Sequence, residues 1–140
     1  MYFTRGEIEF TLENDWLEEA GIEPLSRTEK HYNVIQDCFS EIFFVDIDSV
    51  YPPKRPEGIP IFNSTEVNGK FISARERTVS ILRAIAQRTP LPPVKVMDLK
   101  DSDKYKFKLV NGMHKFHCSI AAGHSHVPAV YGIDKNDPHL

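Results

Sequence analysis

The last third of the chain encodes a strand, a tight turn, a helix and a second strand without interruption, and this unit constrains the fold more than any other segment. Apolar residues alternate with lysines over 105–110, which is typical of a half-buried strand. An Asn-Gly pair at 111–112 supplies a sharp bend, and residues 113–122 carry apolar side chains at helical spacing until Gly123. The β-branched segment 126–131 predicts the second strand.

The turn before the predicted helix has the chemistry of an anion site. The first N–H groups of a helix lack partners within that helix, and the positive end of the helix dipole lies at the same point. His114 and Lys115 stand in this first turn. Phosphate is the kind of anion that such a turn binds, so we predict a phosphate-bearing ligand here.

The histidines raise a second interpretation, a metal site, because His114 and His117 would share one face of the helix. No HExxH motif and no CxxC spacing accompanies them. We therefore expect no metal site built from these side chains.

The size and composition of the chain favour one domain with its own core, since it has 140 residues of which 41% are apolar. We expect an α/β (α+β) fold, with a small mixed β-sheet, flanking helices and an N-terminal strand-helix extension. Residues 1–41 would form this extension, packed on a domain over 42–133, with a fraying tail over 134–140. Residues 58–72 would form a long loop with at most one short strand. The further predicted elements are strands over 7–12, 42–50 and 94–99 and helices over 16–20 and 73–88.

The charges are unevenly distributed along the chain. The net charge of −3 argues against a generally basic nucleic-acid binder. Residues 70–115 nevertheless sum to +7, whereas residues 1–69 sum to −9. DNA is therefore a candidate partner through the 70–115 region only, and the acidic first half either forms a solvated face or covers the basic part.

The expected location is the cytoplasm. Cys38 and Cys118 could form one bridge, but no apolar signal segment precedes them. The longest hydrophobic runs are far shorter than a membrane span, so we expect no membrane partner.

The order of elements over 42–131 is similar to that of the ParB N-terminal/sulfiredoxin-like superfamily. A strand runs into the loop Val-Tyr-Pro-Pro-Lys-Arg at 50–55, a helix follows, and Pro-Leu-Pro-Pro-Val-Lys-Val at 90–96 leads into the next strand. The most specific segment is Gly-Met-His-Lys-Phe at 112–116, which resembles the Gly-x-His/Arg-Arg-aromatic motif of that group. The resemblance implies the superfamily fold and a nucleotide, ATP, ADP or CTP, as the ligand.

The resemblance also implies a set of phosphate-binding residues. Gly112 would permit close backbone approach, while His114 and Lys115 would contact phosphate. The complete set is Lys54, Arg55, Asn111, Gly112, Met113, His114 and Lys115. Met113 stands where sulfiredoxins carry their nucleophilic cysteine, so we do not expect reduction of sulfinic acids.

Two functions remain open from the sequence. Because the superfamily includes nucleotide hydrolases, small-molecule kinases and nucleases, the resemblance implies phosphoryl transfer or phosphodiester hydrolysis. Such chemistry needs a base and usually Mg²⁺ held by carboxylates, for which the candidates are Asp46, Asp48, Glu57 and Glu66. The alternative is a non-catalytic module in which nucleotide switches a surface that holds protein or DNA, and a homodimer is open under either function.

Overall fold

Eight strands and three helices follow one another in the computed structural model, which describes residues 1–36 and 41–132. In chain order they are β1 (Tyr2–Arg5), β2 (Ile8–Thr11), α1 (Asn14–Ala20), β3 (Phe43–Asp46), β4 (Thr65–Val67), β5 (Lys70–Ile72), α2 (Ala74–Gln87), β6 (Val94–Asp98), β7 (Phe107–Asn111), α3 (Met113–Ala122) and β8 (His126–Tyr131). The class is mixed α/β of the α+β type, with several small sheets. None of the described helices has both the length and the apolar composition needed to cross a bilayer.

The central sheet has four strands in the order β3-β8-β6-β7. Strands β6 and β8 are parallel, and the other two pairs are antiparallel. Helix α3 connects β7 to β8, which is two places away in the sheet, so the chain crosses over β6 at this helix. The crossover puts the first turn of α3 beside the start of β6, and this arrangement creates the site described below.

One hydrophobic core joins the sheet, the helices and the N-terminal hairpin. Val96 of β6, Leu82 of α2 and Phe116 of α3 are fully buried within it. The hairpin β1-β2 adds Phe3 and Phe10, whose rings stack with centroids 5.2 Å apart. The N-terminal hairpin is therefore part of the same core as the central sheet.

Ion pairs link the acidic first half of the chain to helix α2. Glu19 of α1 pairs with Arg75 and Arg83, and Glu29 pairs with Arg88 at 2.7 Å. Lys104 also pairs with Glu7, at 3.5 Å, so four of the cations in the basic region have carboxylate partners. The acidic segment covers part of the basic one, which is one of the two alternatives that the charge distribution left open.

The helices agree best with the sequence predictions. Helix α3 spans 113–122 and ends at Gly123 in the left-handed conformation, as predicted. The Ser73 side chain caps α2 by accepting a hydrogen bond from the Glu76 backbone N–H at 3.1 Å. Helix α1 starts earlier than predicted, at Asn14, and its N-cap residue is Glu13 without a side-chain bond.

Two predicted segments need correction. The strand expected over 42–50 ends at Asp46, because the Asp46 carboxylate accepts the Asp48 backbone N–H at 2.9 Å and starts a single 3₁₀ turn. The long loop over 58–72 contains the hairpin β4-β5, closed by Asn68 and Gly69 with positive φ angles. Cys38 and the tail over 134–140 lie outside the described residues.

Candidate functional site

A cavity of about 520 Å³ lies at the N-terminal end of α3. Its floor is the end of β7 and the first turn of α3, and its walls are α2 and the irregular segment that precedes β4. The polar lining residues are Arg55, Asn63, Ser64, Thr65, Arg77, Asn111, His114 and Lys115. A cavity of this size is large enough for a small organic ligand.

Gly112 forms the floor of this cavity and is the N-cap residue of α3. Its φ of 105° lies in the left-handed region, which residues with a side chain rarely adopt. A Cβ at this position would lie 2.6 Å from Cγ1 of Val94, so the backbone here lies directly against β6. No side chain caps the helix, and the N–H groups of 113–115 have no carbonyl partner one turn earlier within the helix.

Two arginines from different elements converge on the cavity. Arg55 comes from the proline-containing loop and Arg77 from the second turn of α2, and both are half-buried. Burial lowers the pKa of each guanidinium, and the nearby Arg77 charge lowers the pKa of Arg55 further. Among the described residues neither arginine has a carboxylate within 4.0 Å. Two repelling cations without a counter-ion form a strongly electropositive wall.

Hydrogen bonds to backbone fix the positions of these arginines. Nη1 of Arg77 donates to the carbonyl oxygen of Asn63 at 3.0 Å and to its Oδ1 at 2.8 Å. Nε of Arg55 donates to the carbonyl oxygen of Ile61 at 2.9 Å. Each guanidinium has five N–H donors, so most of them remain for a ligand.

His114 enters the site as a neutral ring. It is buried, and its Nε2 accepts the backbone N–H of Asn63 at 3.1 Å. Burial, followed by the charges of Arg77 and Arg55, lowers the pKa of His114 to about 4. At pH 7 this histidine therefore positions the segment around Asn63 and adds no positive charge to the cavity.

Lys115 lines the cavity and also binds the backbone that leads into β6. Its Nζ donates to the carbonyl oxygens of Pro92 and Pro93, each at 3.2 Å. Burial, followed by the charge of Lys95, lowers the pKa of Lys115. The ammonium has three donors, so one remains for a ligand.

The structure brings together most of the predicted phosphate-binding residues. Six of the seven line this cavity: Arg55, Asn111, Gly112, Met113, His114 and Lys115. Lys54 does not, because it is exposed and lies near Glu7, whose pKa its charge helps to lower. Of the basic pair at 54–55, only Arg55 is therefore in the cavity.

The four predicted catalytic carboxylates are placed elsewhere. Asp46 caps the 3₁₀ turn after β3, and Asp48 pairs with Nε of Arg5 at 2.9 Å. Glu57 and Glu66 are exposed. No carboxylate lines the cavity among the described residues, and within the same residues no group of three His, Cys, Asp or Glu side chains could hold a metal ion.

Sequence reasoning missed Arg77 and Asn63, which complete the electropositive wall. Arg77 precedes the buried residues Thr78 and Val79 on α2, so its position at the edge of the apolar stripe was the available signal. Asn63 lies in a segment without periodicity, and nothing in the sequence pairs it with Arg77. Comparison of the chain with protein-family models, curated proteins and solved structures gives no match.

The histidines of α3 predict a pH-dependent stability. His117 is fully buried among Phe10, Phe62 and Phe116, and burial lowers its pKa to about 4. Because the unfolded chain binds protons with an ordinary histidine pKa of about 6.5, the free energy of unfolding should fall as the pH drops from about 6.5 towards 4.

Urea unfolding between pH 7 and pH 5 tests this expectation. His117→Phe should remove about a third of the slope, because three buried histidines (His114, His117 and His124) share lowered pKa values. A slope that is equal in the variant and in the wild type would contradict the assignment.

Proposed function

We propose that this chain is a binding module for a phosphate-bearing small molecule of the nucleotide class, ATP, ADP or CTP, and that it holds the ligand in the cavity at the first turn of α3. The observation that carries the proposal is the pair Arg55 and Arg77, half-buried in one cavity without a carboxylate partner among the described residues. Guanidinium groups bind phosphate oxygens in pairs of parallel hydrogen bonds, and a bound phosphate would relieve their mutual repulsion.

The first turn of α3 supports the same ligand. Residues 112–115, whose helix end no side chain caps, line the same cavity as the arginines, so a phosphate bound there would have donors from the backbone and from the guanidinium groups. The resemblance of residues 112–116 to the ParB/sulfiredoxin-like motif supports the nucleotide class, since that superfamily uses the equivalent turn for nucleotide phosphates.

Binding without turnover is the better of the two functions that the sequence left open. Phosphoryl transfer needs a group that orients or deprotonates the nucleophile, and usually carboxylates that hold Mg²⁺. Asp46, Asp48, Glu57 and Glu66 do not line the cavity, and its one buried histidine already accepts a hydrogen bond from Asn63. The cavity therefore offers donors for phosphate and little chemistry for its transfer.

Isothermal titration calorimetry with ATP, ADP, CTP and GTP in the presence of Mg²⁺ tests the proposal, with adenosine as the control without phosphate. We expect binding of at least one nucleotide and none of adenosine. Arg55→Gln should weaken the binding about tenfold or more, because a charge-assisted bond to a phosphate is lost. Arg83→Gln is the matched control, since Arg83 pairs with Glu19 outside the cavity.

The outcomes separate the alternatives. If no nucleotide binds, or if Arg55→Gln binds as tightly as the wild type, the phosphate site is refuted. Release of inorganic phosphate from a bound nucleotide, measured over hours, would favour the catalytic function instead.

A further inference from the structure

The hairpin β4-β5 is joined to the rest of the fold much less firmly than the N-terminal hairpin. Its strands pair only with each other, and none of its residues is buried, whereas β1-β2 buries Phe3, Ile8 and Phe10. Within the described part of the chain, no hydrogen bond or ion pair joins residues 64–72 to another element. Segments with so few buried contacts open at a low free energy.

A cleft of about 440 Å³ separates this hairpin from helix α2. The residues that line it are Lys70 and Ile72 of β5 and Glu76, Arg77, Ser80 and Ile81 of α2. Arg77 and Ile81 also line the cavity at the first turn of α3, called the α3 cavity below, so the two spaces adjoin along one side of α2. The hairpin therefore stands beside the α3 cavity with room to move towards the helix.

The strand register turns one face of the hairpin towards α2. Thr65 is paired with Ile72 and Val67 with Lys70, so these four side chains share a face. Thr65 lines the α3 cavity, whereas Ile72 and Lys70 line the cleft, which makes this the inner face of the hairpin. The inner face thus carries a hydroxyl, two apolar side chains and an ammonium group.

Charges in the cleft oppose an inward movement of the hairpin while no anion is bound. Lys70 lines the same cleft as Arg77, and the charge of Arg77 is felt as far as Arg55. Glu76 also lines the cleft, and like Lys70 it has no ion pair among the described residues. A phosphate on the arginines would offset their repulsion of Lys70 and leave its attraction to Glu76. The bound anion would therefore favour the closed position over the open one.

Two hydroxyl groups at the base of the hairpin are available to a ligand. Ser64 and Thr65 line the α3 cavity, and neither hydroxyl has a hydrogen-bond partner among the described residues. The residue before them is fixed, because Asn63 donates its N–H to His114 and accepts from Arg77. The hydroxyl of Ser73, which caps α2, fixes the other end. A movement of the hairpin therefore begins after Asn63 and carries both free hydroxyls with it.

We propose that the hairpin β4-β5 is a lid that closes over a phosphate bound in the α3 cavity, with the hydroxyls of Ser64 and Thr65 donating to the phosphate and Lys70 moving towards it. This inference rests on the proposed function and adds the regulation of that site, since the ligand enters the open form and leaves only when the lid reopens. Closure also fills the cleft, where Ile72 approaches Ile81 and both lose contact with water.

Hydrogen exchange measured by mass spectrometry on the full chain tests the movement, with ATP, ADP, CTP and GTP each added at saturation. Calorimetry on the same samples establishes which of them is bound. In the free chain, the amides of 65–72 should exchange faster than those of β1-β2. A bound nucleotide should slow the exchange of 65–72 about tenfold or more, because opening then breaks hydrogen bonds to a charged group. Exchange in β1-β2 should change by less than about twofold.

Two variants remove the contacts that the lid would make. Ser64→Ala with Thr65→Val should weaken nucleotide binding about tenfold or more, because two hydrogen bonds to phosphate are lost. Lys70→Gln, at an exposed position, should weaken it about threefold and reduce the protection of 65–72. The matched controls are Thr89→Val and Lys100→Gln, which are exposed and outside both spaces. These controls should leave the affinity and the protection unchanged.

The outcomes separate the lid from the binding site itself. A nucleotide that binds without slowing the exchange of 65–72 overturns the lid and leaves the proposed function standing. Equal slowing in β1-β2 also overturns the lid, because it would reflect stabilisation of the whole fold by the ligand. Wild-type affinity in both lid variants has the same meaning. If none of the four nucleotides binds, the lid and the proposed function both fail. If the double variant does not fold, Lys70→Gln and the exchange of the wild type still decide.

Discussion

Gly112→Ala is expected to lower the free energy of unfolding by about 3 kcal/mol, which adds the cost of a left-handed backbone for alanine to the cost of overpacking. The φ of 105° is unfavourable for any residue with a Cβ, and that Cβ would lie 2.6 Å from Cγ1 of Val94. Urea unfolding at pH 7 measures the effect. Because Gly112 forms the floor of the cavity, the same change should also weaken the binding of nucleotide.

Two further variants separate the cost of the left-handed backbone from the cost of the steric contact with Val94. Gly69→Ala introduces the same side chain at a φ of 78° with no atom within 4 Å, so it should cost only about 1 kcal/mol. Val94→Ala in the Gly112→Ala background removes the nearest clashing atom, Cγ1, and leaves the Val94 Cβ at 2.9 Å. The double variant should be more stable than the sum of the single effects predicts. Strict additivity would show that the contact with Cγ1 of Val94 is not the cause.

Replacement of both cavity arginines, Arg55→Gln with Arg77→Gln, should weaken binding of the proposed nucleotide by about a hundredfold to ten-thousandfold. Each arginine would supply charge-assisted hydrogen bonds to the phosphate, worth roughly 1.5–3 kcal/mol. The affinity of the wild type should fall with added salt, and the double variant should show a weaker salt dependence. Calorimetry at about 50 and 300 mM salt measures both properties.

The matched control removes two arginines of the same helix, Arg75→Gln with Arg83→Gln. These side chains pair with Glu19 and do not line the cavity. The control changes the net charge by the same amount, so it measures only the long-range contribution of charge to the affinity. This contribution should be below about threefold in the dissociation constant. An equal loss in both double variants would mean that the overall charge attracts the nucleotide and that the cavity does not bind it.

The parts of the fold that local chemistry determines could be predicted from the sequence. Helix α3 shows apolar spacing between two glycines, and helix α2 begins at a serine that caps it, so both were placed within a residue. The strand over 42–50 was predicted too long because apolar composition does not reveal that the Asp46 carboxylate captures a backbone N–H. Composition describes the average of a segment, whereas a single side chain decided where this strand ends.

The cavity residues were only partly predictable, because some of them are contiguous in sequence and others meet only in the folded chain. The turn at 112–115 is contiguous in sequence, so its donors could be recognised together. Arg77 and Asn63 meet only because the segment before β4 folds back onto α2, and this path has no periodic signal. The four carboxylates were predicted near the turn from the order of elements alone, and none of them lines the cavity.

The close approach of Gly112 to β6 divides the cavity at the first turn of α3 into two parts with different tolerance to mutation. At the floor, the backbone of Gly112 packs against Val94. Almost any substitution of Gly112 should therefore destabilise the fold and be removed by selection. The wall carrying Arg55 and Asn63 is an irregular segment that Phe62 anchors in the core. Its polar side chains at the cavity are held by a few hydrogen bonds, and they can vary without disturbing the core. A change in what the cavity binds would therefore start with the polar side chains of the wall, while the backbone floor at Gly112 stays the same.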